Sequence, residues 1–469
     1  MAKANKGRNH LQGSGDASLR GIGSRFTKFI PTYSPHFKVG HQNVSDKARA
    51  YATGLVSKAP RKNMERMEEY VEDCEYQSQQ QFLSDSPWDH KGLTKHIACD
   101  VQDLLGTPDG MLVVDESGFA KKGKMSVGVA RQWNGREGKT DNCQVGVYAA
   151  LSDGAQAALV DVRLYLPKGW TEDKARCLQA KIPEEHCEFK TKPEMAVEMV
   201  EAALANGLLF GWVAVDAFYG QVPTCVRRID RCGLNFVADV HCNQIVYTED
   251  PRPYLPRRKN RQGRKRTKLR ARTEGIRVDE LYKEEASAPW NKIRVRRGTK
   301  GEVFVQARRR RLWLWDGEEK TARNWWLVVL RDHLTGEIKW FISNAVATVT
   351  LTTLVQKHAT RFWIERVFQD AKTSVGMADY QARGWIAWHH HMSLVMLALL
   401  FLLKERLLHQ QDVALLSCQD IVELLNYYLP RTDLTAKALL ANLRRRHRVR
   451  QRDIDSAYRR QQNQHANSQ

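Results

Sequence analysis

Cysteine is sparse and unpatterned: nine are scattered through 469 residues with no C-x-x-C pair, which argues against a disulfide framework or a zinc ribbon. The nearest thing to a cluster, Cys225, Cys232, His241 and Cys242, matches no zinc spacing. These thiols read as core residues of a protein in a reducing cytoplasm. No apolar run occurs in the polar, basic segment Met1 to Arg25, so neither a signal peptide nor a membrane anchor is readable there. Met392 to Leu403 is strongly apolar but only about a dozen residues long, which is short for a bilayer and reads as a buried helix. No internal repeat is present.

Acids are also scarce relative to bases. Lys and Arg number 74 against 53 Asp and Glu, a net charge of +21, which biases the chain towards a polyanionic partner. The excess is clustered. Arg252 to Arg272 holds eleven basic residues and no acid. Lys292 to Arg311 ends in Arg308, Arg309, Arg310 and Arg311, and a third cluster spans Arg444 to Arg460. Hydrophobic residues make up 42% of the chain and tryptophan occurs 13 times, enough apolar surface for a real core. At this length several substructures are expected.

Texture along the chain divides it. Residues 1–105 read as a helical N-terminal module with a mobile start, punctuated by Pro60, Pro87 and Pro108. At Gly110 short β-rich runs begin: MLVVDESG, SVGVARQW and CQVGVYAAL, predicted as a three-strand antiparallel meander. A helix at about 193–206, the apolar run LLFGWVAVDAFYG, a helix at 222–232 and the strand NFVADV follow. Three strands, helix, strand, helix, strand, with a long helix later, is the order of a ribonuclease-H-like α/β fold. Residues 106–247 and 325–400 form its two parts. Residues 248–324 read as a basic, mainly β insertion, and 401–469 as a helical C-terminal region ending in a solvated basic tail.

Asp115 follows MLVV and Asp216 follows WVAV, so each is the first acid after a buried β run. First and fourth strands are neighbours in this fold class, which lets both carboxylates approach one metal site. Glu116 points to the opposite side of its strand from Asp115, and Asp239 has no supporting partner. In KHATRFWIERVFQDAK, read as one helix, His358, Arg361, Glu365 and Lys372 share a stripe roughly 60° wide. That face presents a carboxylate among cations. A bland alternative is a solvated i,i+4 ion pair between Arg361 and Glu365.

The spacing His358-x2-Arg361-x3-Glu365-x6-Lys372 resembles the Y-x2-R-x3-E-x6-K signature of bacterial insertion-sequence DDE transposases, cut-and-paste enzymes with a ribonuclease-H-like core and a β insertion before the Glu. VVDESGFAKKGKMSVGVARQW and VAVDAFYG are similar to the first and second acidic motifs of that group, and RKNMERMEEYV with QQFLSDSPWDH to the lead-in of one subfamily. The likeness spans roughly residues 55–400. One departure stands: the signature tyrosine is His358 here.

The resemblance implies that Asp115, Asp216 and Glu365 are catalytic and hold two Mg²⁺, about 3.5–4 Å apart, with Mn²⁺ able to substitute. Hard oxygen ligands favour Mg²⁺ over zinc. It assigns His358, Arg361 and Lys372 to the DNA backbone, and makes Trp340 and Tyr219 candidates for stacking on an unpaired base, the alternative for Trp340 being a place in the core. Arg257, Arg258, Lys259, Arg264, Lys265, Arg266, Arg308, Arg309 and Arg310 are expected to add sequence-independent phosphate contacts. The expected partners are double-stranded DNA, as inverted-repeat ends and target, and further copies of the chain in a dimer or larger assembly, with no membrane. The expected place is the bacterial cytoplasm, at the nucleoid. Two other functions compete: a metal-dependent structure-specific nuclease without strand transfer, and a non-catalytic DNA-binding protein derived from a transposase.

Overall fold

The computed structural model describes residues 18–135, 137–256, 266–285, 287–298, 301–432 and 435–466. Two compact units emerge. One comprises residues 89–371 and 382–400, the other residues 1–88, 372–381 and 401–469.

The first unit is organised by a ten-stranded mixed sheet. Its strands are β1 (Met111–Ala120), β2 (Ala130–Asn134), β3 (Lys139–Ser152), β4 (Ala157–Leu164), β5 (Trp212–Val215), β6 (Asn235–Val240), β7 (Asn291–Gly298), β8 (Gly301–Leu314), β9 (Arg323–Asp332) and β10 (Ile338–Ser343). The spatial order is β7-β8-β9-β10-β6-β5-β1-β3-β2, with β4 also paired to β3. Strands β1, β5 and β6 run parallel to their neighbours in that trio, and all other pairs are antiparallel. Taken as β4-β3-β1-β5-β6, the core has the expected ribonuclease-H-like order, embedded in an α/β fold with helical flanks.

Two details differ from the sequence expectation. The third strand of the meander is β4, whose AALVDVRL alternates in burial and pairs with β3 from Gly146–Leu164 to Ser152–Ala157. SVGVARQW contributes only the short β2, which pairs with the first residues of β3. The run LLFGWVAV supplies just four strand residues, all buried.

The expected insertion is not a separate body. Strands β7 and β8 extend the core sheet through β9, because the long β8 pairs along its length with β9 from Val305–Asp332 to Leu314–Arg323. The expected boundary at residue 105 also moves. Helix α1 (His90–Leu105) packs against β4 and β3 within the sheet unit, and the helical N-terminal unit ends at residue 88. Between β4 and β5 lies helix α2 (Lys192–Ala205), started by a reciprocal capping box in which Thr191 and Glu194 satisfy each other's backbone amides. Helices α3 (Ala217–Gly220) and α4 (Pro223–Arg231) connect β5 to β6, and α5 (Leu351–Ala359) and α6 (Phe362–Ser374) follow β10.

The apolar stretch around Met392 belongs to α7 (Trp385–Leu408), at 24 residues about twice the length expected. It is long and apolar enough to cross a membrane, but 94% of its most apolar window is buried inside the protein, as in the core helix of a folded domain. In the other unit, helices Ser45–Leu55, Met64–Tyr70 and Tyr76–Ser84 pack together, with Phe37, Phe82 and Trp88 in mutual ring contact. The C-terminal segment supplies α8 (Cys418–Tyr428) and α9 (Ala436–Ala466) to the same unit.

Candidate active site

Register aligns three aspartates. The parallel pairs Val113–Ala214 and Val215–Ala238, continued one or two residues, set Asp115 beside Asp216 and Asp216 beside Asp239. Asp216 follows the last residue of β5 and Asp239 is the penultimate residue of β6, at the C-terminal ends of parallel strands, whereas Asp115, expected at a strand end, lies mid-strand because β1 runs on to Ala120 in pairing with β3. Asp216 also caps α3, its Oδ1 accepting the Phe218 and Tyr219 amides at 2.9 and 3.3 Å. The Glu116 amide donates to Asp115 Oδ1 at 2.7 Å.

Arg361 joins this row to Glu365. Its Nη1 lies 3.7 Å from Asp115 Oδ2 and 3.4 Å from Glu365 Oε1, and its Nε lies 3.6 Å from Asp239 Oδ2. Burial works against the guanidinium charge, but Asp239, Asp115, Glu365 and Asp216 together outweigh it and raise its pKa. Asp115 behaves oppositely: burial, reinforced by repulsion from Asp216, pushes its carboxyl up to about 7 despite the offsetting Arg361. Asp216 is likewise raised by burial. At Asp239 burial is overcome by His358 and Arg361, and the carboxyl is held below its ordinary range.

Asp239 therefore has the partner that the sequence reading denied it. His358 Nε2 lies 2.6 Å from Asp239 Oδ1, and the His358 ring stacks on Phe341 at 4.4 Å. A strand-end acid in NFVADV was the available signal, but the partner lies 119 residues away in sequence.

The polar stripe is not borne by one helix. Thr360 and Arg361 form a turn between α5 and α6. There the Thr360 amide bonds Lys357 as well as Gln356, and the Arg361, Trp363 and Ile364 amides bond carbonyls three residues back. This tighter winding re-aims the chain, placing His358 on Asp239 and Glu365 on the first turn of α6. Glu365 is 54% exposed. Three contacts hold these helices: Lys357 Nζ to Asp109 Oδ2 at 2.8 Å, the Trp363 indole donating to the Gly154 carbonyl at 2.8 Å, and the Arg296 guanidinium 3.5 Å from the Phe362 ring centre. The β7 strand thus helps position α6. Lys372 is half-buried on that helix, seven residues beyond Glu365.

Alternation separates Glu116 from Asp115 as expected. Glu116 accepts from Lys192 Nζ at 2.8 Å and from the Tyr219 hydroxyl at 3.3 Å. Tyr219 is fully buried, which corrects its assignment as a stacking platform. Trp340 neighbours Phe341 on β10 and so faces away from His358 and Asp239. That orientation removes it from the carboxylate row, and its indole nitrogen is buried without an acceptor among the described residues.

The arginine run is corrected too. Because Arg308 to Arg311 lie in strand β8, they alternate between faces instead of forming one patch. Arg308 is 8% exposed, donates to the Glu285 and Tyr282 carbonyls and lies over the Tyr282 and Trp290 rings. Arg309 donates to the Val349 carbonyl and lies over Trp326. Arg310 is exposed but paired with Glu285. Arg266 is exposed outside any helix or strand, whereas Arg257, Arg258, Lys259, Arg264 and Lys265 lie outside the described residues.

His389, His390 and His391 are buried in α7, as befits a structural role. His389 Nδ1 lies 2.9 Å from the Trp385 carbonyl, and the His90 ring lies 5.4 Å from His389 and 5.3 Å from His390. Burial pushes His90 down to about 4 and His389 well below the usual imidazole range.

Among the described residues no three His, Cys, Asp or Glu converge closely enough to form a metal cage; Arg361 stands among the carboxylates instead. The donor set nevertheless suits a hard divalent cation. Asp115 and Asp216 are adjacent, and the repulsion between them is what such a cation relieves.

Residues 33–302 match the family model described as DDE superfamily endonuclease. The matched stretch contains Asp115, Asp216 and Asp239 and ends before Glu365. Over 363 residues the chain is 24% identical to a protein described as "Probable transposase for insertion sequence element IS701" from Microchaete diplosiphon, covering 76% of this chain and 82% of that one.

Proposed function

Because the chain belongs to the DDE superfamily endonucleases, we propose that it is an insertion-sequence transposase which binds the ends of its element and catalyses divalent-metal-dependent strand cleavage and strand transfer. The observation that carries this reading is the register pairing of Asp115 with Asp216, linked through Arg361 to Glu365. A transposase name on a relative covering most of both chains supports it.

In this reading Asp115, Asp216 and Glu365 hold two Mg²⁺. When bound, the metal ions supply activation of the attacking water or 3′-hydroxyl and stabilisation of the leaving oxygen. The chain's own part is positional. Asp216, fixed by two backbone amides, presents a carboxylate that cannot swing away. Asp239 and His358 hold the α5 end, so that Arg361 reaches both Asp115 and Glu365. Arg361 and Lys372 serve the DNA backbone beside the scissile phosphate, and the helical N-terminal unit contributes to recognition of the ends. Two ends must be brought together, which calls for at least a dimer on DNA.

The test is cleavage of a labelled duplex carrying the inverted-repeat end found beside the gene, with Mg²⁺, with EDTA, and with Glu365→Ala. Cutting at the end that needs both metal and Glu365, followed by joining to a target duplex, is the expected result. Released ends that never join would favour the nuclease reading. Binding without cleavage, alike in both proteins, would favour the non-catalytic one.

A further inference from the structure

The C-terminal helix α9 carries charge that the catalytic reading leaves unused. The basic tail is part of a helix of 31 residues. At ~100° per residue, Lys437, Arg444, Arg448, Arg452 and Arg459 fall within about 80° of arc, and all five are exposed. First to last they span ~33 Å at ~1.5 Å per residue.

A different arc fastens the helix to its own compact unit. Arg445 pairs with Glu68, and Arg446 Nε lies 3.3 Å from Glu69 Oε1. With that arc turned to helix Met64–Tyr70, the cationic stripe is left on the open side. Cations at i, i+4 repel one another and weaken an isolated helix, so Arg444, Arg448 and Arg452 contribute nothing to the fold that would explain them. One acid, Asp455, falls in the stripe, bonded by Gln451 at 2.9 Å.

A straight row of cations ~33 Å long matches about one turn of duplex DNA, ~34 Å, which carries a phosphate every ~1.7 Å of axis. Resting on the reading of this chain as a DNA-acting enzyme, we propose that α9 lies along the backbone of duplex DNA, with these five side chains making sequence-independent phosphate contacts. The remaining arc bears exposed Leu439, Leu443 and Ile454, a basic amphipathic pattern that an anionic bilayer also accepts. The test therefore includes both surfaces.

Full-length protein and a variant with all five residues changed to Gln are titrated onto a random-sequence duplex by fluorescence anisotropy over a salt series, with thermal melting as the folding check. Gln sustains a helix nearly as well as Arg, so the melting temperature stays within ~2 °C. The slope of log affinity against log salt is expected to fall by about 4.5, and low-salt affinity by ~100-fold or more. Should the fivefold variant misfold, Arg452→Gln with Arg459→Gln is expected to lower the slope by about 2. An unchanged slope in a folded variant, while wild type binds DNA, overturns the assignment of α9 and leaves the transposase reading intact. Wild type failing on every duplex overturns that reading itself. Capture by phosphatidylserine vesicles in preference to duplex, lost in the variant, overturns the proposal in favour of a membrane surface.

Discussion

Asp115 and Asp216 face one another two residues past the Val113–Ala214 pair, and their mutual repulsion, added to burial, makes Asp115 reluctant to ionise. This gives a stability signature. A carboxyl raised to about 7 binds a proton more tightly folded than unfolded, so its contribution falls as pH rises from about 4 to about 7. In EDTA, Asp115→Asn is expected to melt higher than wild type above pH 7, by at least ~2 °C, with the gap closing towards pH 4. Fluorimetric melting across pH checks this. Cleavage by the same variant should be abolished.

Glu116 separates fold from chemistry. It sits one residue from Asp115 but on the other face, satisfying Lys192 and Tyr219. Glu116→Ala leaves those buried partners unpaired and is expected to cost ~1–3 kcal/mol in urea denaturation, with single-turnover cleavage by the remaining folded protein within a few-fold of wild type. Loss of cleavage in Glu116→Ala comparable to that in Asp115→Ala would contradict the face assignment.

Arg361 is the shared counter-charge of three carboxylates. Removing it in Arg361→Ala strands charge in a poorly solvated site, at an expected cost of ~3–5 kcal/mol. Arg361→Lys keeps the charge but loses the planar fork. It should recover most of the stability and still cleave at least ~10-fold more slowly, because one ammonium cannot serve Asp115, Asp239 and Glu365 together. Melting and cleavage measured in parallel test that split.

His90 is expected to weaken the fold in acid. Held neutral by burial, with its pKa lowered to about 4, it binds fewer protons folded than unfolded. Its contribution is complete above the ordinary imidazole value of ~6.5 and is lost as pH falls towards about 4. Urea midpoints should drop across that window in wild type, and less in His90→Gln. An identical drop in both proteins would remove His90 from the account.

Some of this could be read from residue patterns and some could not. Strands such as MLVV and WVAV announce themselves because burial on both faces demands continuous apolar residues, but only after WVAV does the acid mark a strand end; β1 continues past Asp115 to Ala120. The helices 192–205 and 223–231 were legible from local pattern. β4 was not recognised, although its alternation is plain once its pairing with β3 is known. The four arginines of β8 read as a basic patch because charge counts ignore direction; in a strand they alternate, and three of them, Arg308, Arg309 and Arg311, turn to backbone carbonyls.

Composition and local pattern by themselves determined the α/β character, the alternation of strands and helices, the basic clusters and the aspartates that follow apolar runs, since each depends only on neighbours in sequence. Tertiary structure alone decided that Asp239 joins Asp115 and Asp216, that His358 serves Asp239, that the stripe breaks at Thr360, and that the insertion strands extend the core sheet. Those outcomes depend on strand register and on contacts across one hundred or more residues, where the partner of a charge is set by how the sheet closes and not by its place in the chain.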